Sequence, residues 1–276
     1  MSDNDIYKKL EKIEDDLKNL KEQNNTLIED NRKIRKNLIK IHKNFISSKN
    51  MNFCPICENE LVAFAPYDKN HPYDLNRCPY CKSLHRQRLV YLVMTSRLND
   101  LLNSNIKLLH FAPEPSLYDI FRNKNNIDYY PVDLKTEQYD RKNIYLRKIV
   151  NMEMIPYEDN AFDLIYNSHV LEHVSNDIQA MSELYRVLKP NGACVVMVPM
   201  SSRQKTLEKM EYNTPELRKK YYYQSYHLRL YGKDFKDRLA SVGFDVEEVG
   251  AKDIVSLSDM AKYGLTPRDK VFIGRK

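Results

Sequence analysis

From residue 107 onward, short apolar runs of strand length alternate with stretches of helical period, and this alternation limits the fold more than any other feature of the chain. The runs are KLLHF at 107–111, YYPVD at 129–133, FDLIYN at 162–167, ACVVMVP at 193–199, DVEEVG at 245–250 and VFIG at 271–274, with a further short strand around 147–151. A helix over about 83–103 precedes the first of them. Strands and helices in succession build a parallel or mostly parallel sheet with helices on both faces, so the fold class is α/β. Ligands of such sheets sit at the carboxyl ends of the strands. At 276 residues the chain accommodates one domain of this kind with room for appendages.

Cysteine usage defines the first appendage, over residues 52–83. Cys54 and Cys57 stand in CPIC, Cys78 and Cys81 in CPYC, with twenty residues between the pairs. Two thiolates three positions apart on a tight turn can face one ion, and two such turns complete the tetrahedral sulfur shell of a structural Zn²⁺. With all four positions filled by protein, the ion would have no open site for chemistry. A redox role is the alternative for one such pair alone.

Residues 1–48 carry a heptad seam. Leu10, Leu17, Asn24, Asn31, Leu38 and Phe45 fall at a, and Ile6, Ile13, Leu20, Leu27, Ile34 and Ile41 at d. A parallel coiled coil would set Lys9 against Glu14, Asp16 against Lys21 and Asp30 against Arg35, all attractive. The two asparagines favour a dimer, while Leu at a with Ile at d leans toward trimers or tetramers. One long amphipathic helix lying on its own protein is the other reading.

VDL at 132–134, IPYEDNAFDLIYNSHVLEHV at 155–174 and ELYRVLKPNGACVVMVP at 183–199 resemble class I, S-adenosylmethionine-dependent methyltransferases of the type 11 kind. The CPxC pairs, HRQRL after them, LLHFAPE at 108–114 and HLRLYGKDF at 227–235 are similar to a subgroup that joins a zinc-ribbon-like module to that fold. The resemblance covers about residues 52–276 and implies a Rossmann-like seven-stranded methyltransferase sheet, preceded by a zinc ribbon and the coiled-coil helix. The methyltransferase domain would span 84–276 with a substrate lid at about 200–235.

The resemblance also implies the cofactor site. Asp133, at the end of the second strand, would accept from the ribose hydroxyls. Asn151 would receive the adenine amino group, Met152 would pack on the purine, and Asn167 and Ser168 would line the cleft beside the sulfonium. The first-strand loop His110, Phe111, Ala112, Pro113 and Glu114 would wrap the cofactor, with Glu114 on its amino group. That loop departs from the general family because it holds no glycine, the first in the chain being Gly192.

HVLEH at 169–173 also spells a zinc-protease pattern, but His169 falls in a strand-to-helix turn and no third ligand is evident nearby in sequence. In the methyltransferase reading Glu172 and His173 open the next helix. Methyl transfer demands mainly alignment, and a hydroxyl acceptor gains from a base, for which His227 and His169 are candidates, with Arg229 orienting an anionic acceptor. The lid mixes Tyr212, Tyr221, Tyr222, Tyr223, Tyr226 and Tyr231 with Arg203, Lys205, Lys209, Arg218, Lys219, Lys220 and Arg229, which suits a sugar or base and a phosphate. A small core of the lid's own tyrosines is the alternative. The expected activity is O-methylation of a small molecule or glycan, foremost a sugar hydroxyl. An RNA methyltransferase and an inactive methyltransferase-fold scaffold are the alternatives. A net charge of +6 permits nucleic acid without requiring it, and the absence of any membrane-length apolar run or secretory signal points to the cytoplasm.

Overall fold

The computed structural model describes residues 3–46, 51–67, 75–137, 139 and 143–276, and within the first helix the side chains of residues 12–37. The heptad side chains of Ile6, Leu10, Leu38, Ile41 and Phe45, and the 47–50 junction, lie outside the described residues. Helix α1 (Asp3–Ile46) is 44 residues long, about 66 Å at 1.5 Å per residue. The seam residues Ile13, Leu17, Leu20, Leu27 and Ile34 are exposed along it, so α1 does not lie against the rest of its own chain there.

The second module is two small hairpins, β1 (Asn52–Cys54) with β2 (Asn59–Leu61) and β3 (Ala65–Pro66) with β4 (Leu75–Arg77). The two CPxC turns have the same construction. The amide after the second cysteine donates back to the carbonyl of the first, Glu58 N to Cys54 O at 2.8 Å and Lys82 N to Cys78 O at 3.1 Å. Glu58 (φ 55°) and Lys82 (φ 62°) take the left-handed conformation that closes each knuckle.

Helices α2 (His85–Arg97) and α3 (Asn99–Asn103) divide the single helix expected over 83–103. Then follow β5 (Ile106–Phe111), α4 (Pro115–Arg122), β6 (Ile127–Asp133), β7 (Lys148–Ile149), β8 (Phe162–Ser168), α5 (Asp177–Val187), β9 (Leu188–Met197), α6 (Pro215–Tyr222), α7 (Phe235–Ala240), β10 (Asp245–Gly250), α8 (Leu257–Lys262) and β11 (Lys270–Arg275). The seven strands from β5 on form one sheet in the order β10-β11-β9-β8-β5-β6-β7. Pairs among β5 to β9 are parallel, and β11 runs antiparallel to both neighbours.

Both faces of the sheet are apolar, and alternation along each strand sorts the residues. Leu108, Tyr166, Val195 and Ile273 turn to a core shared with α2, α4 and the cysteine module, through Val90, Val93, Phe121, Phe64 and Leu61. Leu109, Ile165, Cys194 and Phe272 turn to the opposite core, closed by Met181, Leu184, Phe235 and Leu239 of α5 and α7. The cysteine module is thus packed into the sheet domain's own core.

Arg88 fastens that junction. Its side chain is fully buried and donates to four backbone carbonyls, Tyr263 (2.7 Å), Ser83 (2.8 Å), Asn76 (3.0 Å) and Gly264 (3.0 Å), while its guanidinium lies 3.9 Å from the Phe64 ring centroid. Gly264 (φ 58°) is required here, because a Cβ would come within 2.4 Å of Phe64 and 3.0 Å of Arg88.

Candidate functional site

After β5 the chain goes to β6 on one side and later returns to β8 on the other, so the crevice above β5 and β8 is the topological switch point. Register brings the expected cofactor residues to this edge. Phe111 is paired with both Val132 and Asn167, and Ala112 N donates to Val132 O at 2.9 Å. Asp133 and Ser168, the next residues along, therefore flank the β5 loop.

The loop makes its turn without glycine by placing Ala112 at φ 50°, in the left-handed region. For a residue with a Cβ that conformation costs about 1–2 kcal/mol. Beneath it lies a closed polar network. Glu114 accepts from Tyr166 Oη at 3.0 Å and from His110 Nε2 at 3.1 Å. With Nε2 donating, a neutral His110 accepts at Nδ1 from Tyr129 Oη, at 2.7 Å. Burial, and then the Glu114 charge, hold the Tyr129 and Tyr166 phenols well above their ordinary range, so both remain donors. His110 is fully buried and supports the loop from beneath.

Asp133 Oδ1 accepts from Leu134 N at 2.6 Å, and Oδ2 takes the Tyr139 hydroxyl, so the strand-end carboxylate is held in a fixed orientation. Asn151 Oδ1 accepts from Glu153 N at 3.0 Å. Met152 is buried in the core with Val132 and Val150. Asn167 differs from all of these. Its side chain is fully buried at the end of β8, and neither its amide oxygen nor its amide nitrogen has a hydrogen-bond partner among the described residues. Two orphaned polar atoms at a switch point fit a bound polar ligand.

Next to Asn167 stands a cluster that the sequence showed only in part. Residues 171–173 form a turn and α5 starts at Asp177, so Glu172 and His173 do not open the helix as expected. His169 (φ 56°) turns the chain out of β8. Glu172 is fully buried, with His169 Nδ1 at 3.2 Å, His173 Nε2 at 3.8 Å and His227 Nε2 at 4.0 Å from its Oε1. Burial pushes the Glu172 carboxyl up, but His169 and His173 more than offset it and leave it below its ordinary value. Burial lowers His227, against the opposing pull of Glu172. Residue 227 lies 54 positions beyond 173, and no spacing rule links them.

Arg229 is 1% exposed. It donates to the carbonyls of Leu171 (2.9 Å), Val174 (2.6 Å) and Ser175 (2.9 Å) and to Glu208 (2.6 Å). These contacts corset the turn that carries Glu172. Asp177 continues the brace, accepting from Arg238 at 2.6 Å and from Tyr231 Oη at 2.9 Å. The lid tyrosines mostly satisfy one another: Tyr212 stacks on Tyr221 at 4.0 Å, and Tyr222 and Tyr231 are buried. Tyr223 and Tyr226 remain exposed.

The four paired cysteines converge as their spacing predicted. All are free thiols whose sulfurs lie within 4.8 Å of one another, with Cys54 to Cys81 at 3.6 Å and Cys57 to Cys78 at 3.7 Å. A tetrahedron with metal–sulfur bonds of about 2.3 Å has edges of about 3.8 Å, so these separations suit a zinc shell. The thiol of Cys81 hydrogen-bonds Cys54 and, against burial, draws Cys54 down to about 4, while Cys81 is raised in return.

Part of the chain is similar to known proteins. Residues 116–196, from α4 to the end of β9, match the family described as a methyltransferase domain. A ubiquinone/menaquinone biosynthesis C-methyltransferase of Hydrogenovibrio crunogenus is 36% identical over 102 residues, 37% of this chain and 36% of that protein. A demethylmenaquinone methyltransferase of Lactiplantibacillus plantarum is 36% identical over 74 residues, 27% of this chain and 30% of that one. The matched stretch spans about a third of the length of these relatives. Among solved structures, a SAM-dependent methyltransferase from Archaeoglobus fulgidus aligns over 68% of this chain and 93% of its own, at 15% identity and a TM-score of 0.47. Within this mostly parallel seven-stranded sheet, the stretch from α4 to the end of β9 is thus similar to a methyltransferase domain.

Proposed function

We propose that the protein transfers a methyl group from S-adenosylmethionine to a hydroxyl of a small molecule or glycan, foremost a sugar. The observation that carries the reading is the buried, unpartnered amide of Asn167 at the switch point of a sheet that matches a methyltransferase domain. Asp133, fixed by Leu134 N and Tyr139, would accept from the ribose hydroxyls. Asn167 and Ser168 would satisfy polar groups near the reacting end, and the β5 loop would close over the cofactor. Bound S-adenosylmethionine supplies the electrophilic methyl and a neutral thioether leaving group. The remaining work belongs to the chain: excluding water, aligning the acceptor and receiving its proton. The histidines beside Glu172 favour a hydroxyl, because such an acceptor must lose a proton.

In this reading the four cysteines hold a structural zinc ion as two zinc-ribbon knuckles, and the exposed seam of α1 pairs with a second chain as a coiled-coil dimer. Five free thiols suit a reducing compartment such as the cytoplasm. A screen for transfer of radiolabelled methyl to sugars, nucleotide sugars, quinols and bulk RNA tests the acceptor. Label on a sugar carbon-bound oxygen supports the proposal. Label confined to quinol carbon or to RNA would replace it.

A further inference from the structure

We propose that Glu172, His173 and His227, joined by His169, form a binding site for a divalent first-row transition-metal ion at the carboxyl edge of the sheet, separate from the four-cysteine cluster. One ligand atom from each of Glu172, His173 and His227 lies within 4.8 Å of the others. His169 Nδ1 approaches the same Glu172 oxygen at 3.2 Å. Imidazole nitrogens with one carboxylate are the donor set such ions prefer.

Proton positions favour a metal over a set of hydrogen bonds. His227 Nδ1 is 3.0 Å from the Tyr222 carbonyl and His173 Nδ1 is 3.4 Å from that of Tyr226. A carbonyl only accepts, so each Nδ1 carries a ring proton, and Nε2 is the atom left to face an ion. Both Nε2 atoms lie within 4.0 Å of Glu172 Oε1. Neither Glu172 oxygen, both shielded from solvent, accepts a hydrogen bond of normal geometry among the described residues. A buried carboxylate left without such a bond is costly, and a cation held between it and the imidazole nitrogens would satisfy it. Backbone carbonyls holding the distal ring nitrogen are also the arrangement by which proteins orient metal-binding histidines. Ligand bonds of about 2.0–2.1 Å give tetrahedral edges of about 3.3–3.4 Å. The carboxylate-to-imidazole separations here, 3.8 Å to His173 and 4.0 Å to His227, are about half an ångström wider, so the side chains must draw in by that much around an ion.

The ion's chemical use rests on the methyl-transfer reading, whereas its binding does not. An open coordination position would take the acceptor hydroxyl and lower its pKa, as metal ions do for bound water. The acceptor O–H bond then breaks, with its proton passing to His169 beside the site. The new O–C bond forms as the methyl's C–S bond breaks, and that electron pair stays on sulfur. Arg229, holding Leu171, Val174 and Ser175, keeps the ligand turn in place.

The test counts metal on full-length protein whose cysteine cluster is already saturated with zinc. Mn²⁺ and Co²⁺ are titrated separately, with bound ion measured by elemental mass spectrometry and by the loss of the free-ion paramagnetic signal. One equivalent of either ion beyond zinc is expected, weakened about tenfold or more in Glu172→Gln and in His173→Asn, the latter a partly exposed position whose change leaves the fold intact. Absence of any equivalent beyond the cysteine cluster, or equal binding by wild type and a folded His173→Asn, would overturn the proposal. Calorimetry with S-adenosylmethionine on the same samples separates the two ideas: metal without cofactor binding sinks only the methyl-transfer reading, and cofactor without metal sinks only this one.

Discussion

Replacing Arg88 by methionine should destabilise the protein out of proportion to the volume removed. Methionine fills much of the space of the arginine stem and removes the guanidinium. Four carbonyls, those of Ser83, Asn76, Tyr263 and Gly264, then lose their donor in a buried setting. Charged hydrogen bonds contribute about 1.5–3 kcal/mol each, a gross loss of roughly 6–12 kcal/mol. Relief from burying a cation, which lowers the Arg88 pKa to about 10, returns several kcal/mol. About 3–5 kcal/mol should remain, more than a hundredfold in the unfolding constant. Because the four carbonyls belong to the cysteine module and to the segment after α8, the two should also lose their common transition. Urea unfolding at fixed free zinc, followed by backbone signal and by zinc release to a chromophoric chelator, reads both effects. A loss below about 1 kcal/mol with coincident transitions would refute the view of Arg88 as the fastener.

Three further outcomes are expected. Ala112→Gly should raise stability by about 1 kcal/mol in thermal unfolding, because glycine adopts φ 50° without the Cβ clash, and a loss would contradict the strained-turn account. Glu183 bonds Arg186 and the Ile155 amide, which hold its carboxyl below the ordinary value. Its folded pKa is thus depressed, so its contribution is present above the unfolded value near 4.5 and fades as pH falls through the folded one. Glu183→Gln should flatten the acid limb of the stability profile, and an unchanged limb counts against the assignment. Leu20→Lys with Leu27→Lys in α1 should shift sedimentation from dimer to monomer while leaving the thermal midpoint of the sheet domain unmoved, whereas an unaltered sedimentation coefficient would remove α1 as the pairing element.

Much of this architecture was legible in the sequence because it rests on local pattern. DVEEVG at 245–250 is β10 residue for residue, and the other apolar runs lie within a few positions of their strands. The cysteine cluster was legible for the same reason, since each knuckle is a local turn. What escaped depends on contacts between segments far apart. His227 joins Glu172 only because the crossover after β9 returns over the turn following β8, so HVLEH looked one ligand short. Arg229 and Met152 have side chains suited to ligand contact, yet tertiary packing engages both within the protein. The missing glycine at the first loop suggested a poor fit for a cofactor. The backbone meets that demand by holding an alanine in a conformation that composition does not reveal.

The central claim, that the crevice at the end of β5 and β8 binds S-adenosylmethionine, is tested most directly by titration calorimetry of the zinc-loaded full-length protein. The account predicts saturable one-to-one binding, weakened about tenfold or more by Asp133→Ala and by Asn167→Leu, two folded variants that remove a ribose acceptor and the orphaned amide. No detectable heat from the wild type, or undiminished affinity in both variants, would contradict it.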